Sequence, residues 1–482
     1  MAGDVFDAIV IGTGQSGPAL AARLAGSGMK VAIVERRRFG GTCVNNGCIP
    51  TKTLVASARA AYVVRRASDF GVQVGGPVFV DMRAVKARKD GVVRKSTEGV
   101  EKWLRGTKNC TVLQGHARFE GPRSVRVGEQ LLESEKIFVN VGGRAAVPPI
   151  PGLDGVPFLT NSSMMDVDFL PEHLVILGGS YIALEFAQMY RRFGSEVTVI
   201  ERGPRLLARD DEDVADAIRG ILEGEGVRIA TGTDIRSVEQ RAGRPVVHVS
   251  SGGKVEVAGS HLLAALGRVP NTGRTSARPR WRRDELGAAS SRCWTTSAPA
   301  RKASGRSGTA TARAFTHVVQ RLRDRLPANL LDEEAPEGRP DHLAYGLFID
   351  PPLGAAGSRR KEVRESEENP RSWRGYRRHA WAGPRRSETL GFMKVLVKES
   401  KLILGAALLG IEADRSSTSS STSCTPARAL HLIQRVHIHP TVSELLPTLL
   451  ELEPLSTCRD GLPRRRRNGQ ACCVGQALKA AR

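Results

Sequence analysis

The chain has 482 residues, 40% of them hydrophobic and 25% charged, with 72 Lys and Arg against 50 Asp and Glu for a net charge of +22. That length and apolar content suffice for two or three domains with cores of their own. No apolar run approaches membrane-spanning length, which excludes a helical membrane protein, and Met1-Ala2-Gly3-Asp4 leads straight into a strand with no charged and greasy signal segment, so a soluble cytoplasmic protein is expected.

The first predicted element is a strand, Phe6 to Ile11, followed by Gly12-Thr13-Gly14-Gln15-Ser16-Gly17, a helix of small apolar residues from Pro18 to Leu24, and a second strand ending at Glu35. Gly12, Gly14 and Gly17 permit a tight turn, close approach to a pyrophosphate and strand–helix packing, while the helix N-terminus faces phosphate charge. Glu35, about twenty residues on, is placed to accept a ribose hydroxyl. A bare glycine motif is weak evidence; strand, helix and acid in order make it a nucleotide site.

Directly after it comes Gly40-Gly41-Thr42-Cys43-Val44-Asn45-Asn46-Gly47-Cys48-Ile49-Pro50-Thr51-Lys52. Two thiols on so short a stretch read as a redox pair, and on one helical turn their separation is compatible with bridging. The alternative is two buried thiols that merely pack, as is common in intracellular proteins. A reducing cytoplasm suits a pair that cycles better than one that staples.

A second strand–glycine–helix unit reads Leu174-Val175-Ile176-Leu177-Gly178-Gly179-Ser180-Tyr181-Ile182-Ala183-Leu184-Glu185, and its next strand, Val197 to Ile200, ends at Glu201. Ser180 and Ala183 stand where the first unit has its second and third glycines. Two nucleotide folds in one chain, with the thiols on the first, are what a flavin-plus-nicotinamide enzyme needs. Glu201 favours NAD(H), because a carboxylate at the ribose repels a 2′-phosphate; Arg202 and Arg205 lie close enough to blur that preference.

Beyond residue 272 the text changes. Segments 273–326, 355–386, 415–435 and 458–482 hold the whole basic excess and leave the remainder slightly acidic. They include Arg278-Pro279-Arg280-Trp281-Arg282-Arg283 and Arg464-Arg465-Arg466-Arg467, and they show no organised periodicity. A nucleic-acid surface would interleave basic and aromatic residues on an ordered element, whereas these arginines scatter through Ser, Pro and Ala, so nucleic acid is not the expected partner.

The thirteen-residue cysteine segment and the two glycine units resemble the class I pyridine nucleotide-disulfide oxidoreductases, which include dihydrolipoamide dehydrogenase, glutathione reductase and mercuric reductase. The resemblance runs from about residue 5 to 272 and returns in islands up to Leu455, such as Phe348-Ile349-Asp350-Pro351-Pro352-Leu353-Gly354 and Gly391-Phe392-Met393-Lys394-Val395-Leu396-Val397. It implies an α/β fold with two Rossmann-like domains, FAD-binding over 1–150 and NAD(P)-binding over 151–272. A remnant of the central FAD segment at 273–340, an α+β dimerisation domain at 341–455 and a basic tail at 456–482 would follow. Because the islands keep the family's spacing, the four basic segments read as stretches out of frame.

The resemblance also implies roles. FAD and NAD(P)H would be held by Gly12, Gly14, Gly17, Glu35, Gly41, Thr42, Lys52, Gly142, Gly178, Ser180, Tyr181, Ala183, Glu201 and Gly267. Cys43 would be the interchange thiol and Cys48 the flavin-facing one, joined as a disulfide in the oxidised state. Lys52 and Glu185 would pair beside the flavin, with Tyr181 covering it. Val139-Asn140-Val141-Gly142-Gly143-Arg144 and Leu266-Gly267-Arg268-Val269-Pro270-Asn271 would link the two domains. His439 would be the base, oriented by Glu444, and would enter the active site of a second copy in a homodimer. The substrate would be a small disulfide, a dihydrolipoamide-like thiol pair or Hg(II), and no resident metal is expected. One departure weakens this reading: the Gly-Asp whose carboxylate holds the ribityl chain is missing near 303–312, which leaves a non-catalytic flavoprotein relic as the alternative. Cys472 and Cys473 resemble a mercury-relay pair but lie in an anomalous segment and read as accidental.

Overall fold

The computed structural model describes residues 3–250, 254–271, 344–366, 373–379, 389–398, 403–413 and 449. Ala8–Ile11 is apolar at every position and fully buried, as a strand covered on both faces must be. It lies inside a parallel sheet ordered Cys110–Gln114, Val31–Glu35, Ala8–Ile11, Ile137–Val139. Helix α1 (Gly17–Gly26) carries the chain from Ala8–Ile11 to Val31–Glu35 and buries Leu20, Ala21, Leu24 and Ala25 against the sheet. On the other face, a small layer of Ala117–Gly121, Ser124–Val127 and Gln130–Glu133 covers Ile9, Ile11, Ala32 and Val34.

Three helices are inserted before Cys110–Gln114: α2 (Gly41–Asn45), α3 (Cys48–Arg65) and α4 (Met82–Arg105). Asp81 caps α4 by accepting the Arg83 and Ala84 amides at 2.9 and 3.2 Å, which satisfies donors that the first turn would otherwise leave open.

The second unit repeats the plan. Its parallel sheet runs Arg228–Ala230, Glu196–Ile200, His173–Leu177, His261–Ala264, carries α5 (Tyr181–Phe193) and α6 (Glu212–Gly224), and is extended by a meander of Asp234–Arg241, Arg244–Ser250 and Lys254–Ala258. The fold is α/β, as the two strand–glycine–helix repeats predict. A third, antiparallel sheet follows in the order Ala344–Leu347, Leu353–Gly357, Ile403–Leu409, Phe392–Lys398, Trp373–His379.

Here structure and sequence part company. The basic segment 355–386 shows no periodicity, yet it contains helix α7 (Arg360–Ser366) and the strand Trp373–His379. Part of its charge is met from afar: Arg359 reaches Asp210 at 3.3 Å and Arg360 reaches Asp213 at 3.0 Å, while buried Lys394 of the strand Phe392–Lys398 reaches Asp211 and Asp213 beside them. The acids come from the head of α6, so the segment's composition makes sense only with its tertiary partner. Segments 273–326, 415–435 and 458–482 lie outside the described residues.

The largest apolar cluster joins Leu54 and Ala58 of α3 to Leu184, Phe186 and Ala187 of α5 and to Leu347, Ile349 and Phe392 of the third region. The helix that begins at Cys48 is thus fixed by all three. Among the described residues, no helix is long and apolar enough to cross a membrane.

Candidate active site

Gly12 has φ +105°, and a Cβ there would lie 2.3 Å from the Asn140 carbonyl oxygen; one on Gly17 would lie 2.1 Å from the Gly12 oxygen. Both positions therefore demand glycine. Gly41, with φ +61°, packs so closely on Gly14 that its Cβ would stand 2.7 Å from the Gly14 Cα. That contact brings the loop opening α2 onto the glycine turn at the head of α1. The amides of Gly14, Gln15 and Ser16 have no acceptor among the described residues, and the first turn of α1 carries no acid. Small side chains, open amides and a positive helix end make a cradle that fits a dinucleotide pyrophosphate.

Glu35 is 8% exposed. One of its oxygens accepts the Thr13 amide at 3.1 Å and the Thr13 hydroxyl at 2.6 Å, and the other accepts the Arg37 amide at 2.9 Å. These bonds hold the carboxylate at the strand end, and its remaining lone pairs can still take a ribose hydroxyl. Asn140 was visible in the sequence only as part of a linker motif. It donates to the Gly12 carbonyl at 3.2 Å and accepts the Ser16 hydroxyl at 3.1 Å, so it ties the glycine turn from the far strand.

The two cysteines do not share a helical turn, contrary to the reading from spacing. Cys43 lies in α2 and Cys48 opens α3, with a break at Asn46 and Gly47 between them. The physical reason is packing: Gly47 passes so close to Thr42 that a Cβ would come within 2.9 Å of its carbonyl oxygen, and Pro50 suits the first turn of a new helix. Both thiols are half-buried. The break is gripped from outside: Asn46 donates to the Ser162 hydroxyl at 2.8 Å, Asn161 donates to the Asn46 carbonyl at 3.3 Å, and Thr97 of α4 donates to Asn45 at 3.1 Å. Cys48 at the first position of an 18-residue helix with no acid in its first turn sits where the helix end favours a thiolate. Cys110, by contrast, has its thiol pushed up by burial.

One turn into α3, the Lys52 ammonium lies 2.6 Å from both oxygens of Glu185 on α5. The Glu185 side chain is only 5% exposed. It also accepts the Phe348 amide at 3.0 Å, and the Phe348 ring lies 4.3 Å from the Lys52 nitrogen. Tyr181 opens α5 beside this pair. Burial pushes its hydroxyl up, Arg268 opposes the shift, and Glu185 and Cys48 reinforce it. Cys48, Lys52, Tyr181 and Glu185 are thus assembled from two helices of different units.

In the second cradle Gly178 has φ +105°, and a Cβ there would meet the Ala265 oxygen at 2.6 Å. Ser180 caps α5 without a side-chain bond, and Ala183 is fully buried. Glu201 accepts the Gly179 and Gly203 amides, each at 2.6 Å. Gly142 and Gly267, with φ +62° and +115°, flank a two-stranded ribbon of Gly143–Ala145 and Arg268–Pro270 between the units. His439, Glu444, residues 303–312, Cys472 and Cys473 lie outside the described residues.

The profile of one protein family, described as pyridine nucleotide-disulphide oxidoreductase, matches residues 6–285. The probable pyridine nucleotide-disulfide oxidoreductase RclA of Escherichia coli is 32% identical over 467 residues, covering 93% of this chain and 99% of that protein. Its solved Cu(II) complex, titled as a HOCl-induced flavoprotein disulfide reductase, superposes with a TM-score of 0.77 at 28% identity over 94% of this chain and 99% of that one. A dihydrolipoyl dehydrogenase of Thermus scotoductus is 36% identical over 277 residues, 55% of this chain and 58% of that protein. A mercuric reductase of Acidithiobacillus ferrooxidans is 36% identical over 275 residues, 55% of this chain and 49% of that protein. The last two matches thus span about half of each relative's length.

Proposed function

Because the chain belongs to the pyridine nucleotide-disulphide oxidoreductase family, whose members are FAD-dependent and use NAD(P)H, we propose that it passes reducing equivalents from NADH through FAD to the Cys43–Cys48 pair and on to a small disulfide. Bound FAD supplies the two-electron relay between nicotinamide and thiols. The chain's own residues do the rest. The Gly12–Gly17 turn and Gly41 hold the pyrophosphate and Glu35 the ribose; the Lys52–Glu185 pair sets the electrostatics beside the flavin ring; Tyr181 shields it. Cys48 is the flavin-facing thiolate and Cys43 attacks the substrate disulfide. His439, braced by Glu444 and contributed by the second copy of a homodimer, manages the proton. Thr42, Gly142 and Gly267 line the cofactor sites.

The observation that carries this reading is the convergence of Cys48, Lys52, Glu185 and Tyr181 where the heads of α3 and α5 meet. It is tested by anaerobic titration of the purified protein with NADH, followed by 5,5′-dithiobis(2-nitrobenzoate), lipoamide, Hg(II) or Cu(II). Bleaching of the flavin with disulfide-dependent reoxidation is the expected result; a protein that is never reduced by NADH would be the relic. Hg(II) is the second reading, supported by the identity to the mercuric reductase, and Cu(II) joins the assay because a solved neighbour is a Cu(II) complex. Both are thiophilic or soft enough for a thiolate pair.

The nicotinamide is assigned as NADH from Glu201. Arg205, which could have welcomed a 2′-phosphate, is committed to Glu212 at 2.7 Å and to the carbonyls of Ala208 and Asp210. We expect kcat/KM for NADH to exceed that for NADPH by about tenfold or more, with Glu201→Gln narrowing the gap. Steady-state kinetics with both nucleotides check this, and a preference for NADPH would contradict it.

FAD is proposed to bind more loosely than in relatives that keep the Gly-Asp absent near 303–312. One lost charge-assisted hydrogen bond costs roughly 1.5–3 kcal/mol, or about one to two decades in affinity. Stoichiometric flavin retained through gel filtration at sub-micromolar protein would argue against it.

A further inference from the structure

On α5, Glu185, Gln188 and Arg192 stand three and four residues apart, so they share one face. All three are buried, at 4, 4 and 5% exposure. A buried polar stripe is costly unless it is matched, and here it is matched by Phe348 and Asp350 of the Phe348-Ile349-Asp350 island. The Phe348 amide donates to Glu185 at 3.0 Å. The Asp350 amide donates to Gln188 at 2.7 Å, and Gln188 returns a bond to the Asp350 carbonyl at 2.8 Å. The Asp350 carboxylate takes Arg192 at 2.6 Å and also pairs with Arg59 of α3.

The tail of this arrangement is charge-balanced. Arg192 makes a two-pronged contact with Glu225, both bonds at 2.7 Å, and its guanidinium lies 3.7 Å from the centre of the Tyr62 ring on α3. Lys52 and Arg59 are seven residues apart on α3; Glu185 and Arg192 are seven apart on α5. The two helices therefore run side by side in the same sense with a cross-link at each end, about 10 Å apart. Lys52–Glu185 closes the head, and Arg59, Asp350 and Arg192 close the tail. A single ion pair leaves a helix free to swivel about it, whereas two fix its rotation and its slide.

We propose that Asp350 is a positioning residue for the redox centre: clamped by Arg59 and Arg192, it straps the Phe348–Asp350 segment along the α3–α5 seam and thereby sets the placement of the Lys52–Glu185 pair. The proposal rests on the reading that this pair serves flavin reduction. It gives the C-terminal half of the chain a part in a site otherwise built from the first two units.

The test uses full-length holoprotein carrying Asp350→Asn, Lys52→Met or both. Asp350→Asn keeps the backbone bonds and the side-chain shape but drops the charge that holds the two arginines. Flavin reduction by NADH, followed by stopped flow, is expected to slow about tenfold in Asp350→Asn with an unchanged dependence on NADH concentration, the size of effect that sub-ångström misplacement produces. In the Lys52→Met background the same change should have no further effect, because the group it positions is gone. Amide hydrogen exchange on the same proteins should rise about tenfold over 48–55 and 181–188 and stay unchanged over 8–35, since the opening is local to the seam. Equal slowing in both backgrounds, or unchanged exchange at the seam, would show that Asp350 is merely structural and overturn the proposal. Normal flavin reduction in Lys52→Met would instead overturn the underlying reading of the pair. Should Asp350→Asn fail to fold, Gln188→Leu, which removes the neighbouring pair of strap bonds, carries the same comparison and the same outcomes.

Discussion

Replacing Cys48 by serine is expected to abolish the long-wavelength absorbance that NADH otherwise induces and to lower disulfide reduction by about three orders of magnitude. The band arises from a thiolate donating charge to the flavin, and only a sulfur that is both ionised and adjacent can produce it. Cys48 is the proposed donor because it opens α3, at a helix end that favours an anion, and it lies close enough to Tyr181 to contribute to the upward shift of that hydroxyl. Cys43, on the separate helix α2, is the proposed interchange thiol. Cys43→Ser should therefore show the band before any reductant is added, because Cys48 has lost its disulfide partner. Cys110→Ser should leave spectrum and rate unchanged, since it lies on the strand at the far edge of the first sheet and burial keeps its thiol protonated. Identical spectra for Cys43→Ser and Cys48→Ser would exclude the assignment.

Lys52→Met is expected to have the next largest effect, and to have it twice over. Glu185 is 5% exposed, and without the ammonium its carboxylate keeps, among the described residues, the Phe348 amide. The pair is only part-buried, with Lys52 32% exposed, so stranding the carboxylate costs about 1–3 kcal/mol, which thermal unfolding will register as a fall in Tm. Loss of the positive charge beside the flavin should also slow flavin reduction by about a hundredfold. The two effects separate in the double variant Lys52→Met/Glu185→Leu, where the stranded charge is gone: most of the stability should return while reduction by NADH stays slow. A Lys52→Met protein as stable and as fast as the parent would remove the pair from the mechanism.

How much of this was legible in advance depends on the distance over which each feature is decided. The glycine turns at Gly12–Gly17 and Gly178–Ala183, the apolar strands before them and the acids Glu35 and Glu201 after them are local features. Backbone freedom, burial on two faces and strand length fix them within about thirty residues, so the α/β fold and both cradles could be read from the amino-acid sequence. The cysteine pair was equally plain as a motif, yet its geometry was not. Spacing alone suggests one helical turn, and only the contact of Gly47 with Thr42 divides it into two helices held by Asn161 and Ser162. Asn140 on the Gly12 turn, Phe348 on Glu185 and Asp350 between Arg59 and Arg192 join residues more than a hundred positions apart. The basic segment around Arg359 and Arg360 likewise looked shapeless because its acids lie at 210–213. The sequence by itself determined the two glycine turns with the strands and helices that flank them, because those depend on neighbours along the chain. Only the tertiary structure decided which side chains meet, because a buried charge or amide finds its partner in the one packing that leaves none of them unmatched.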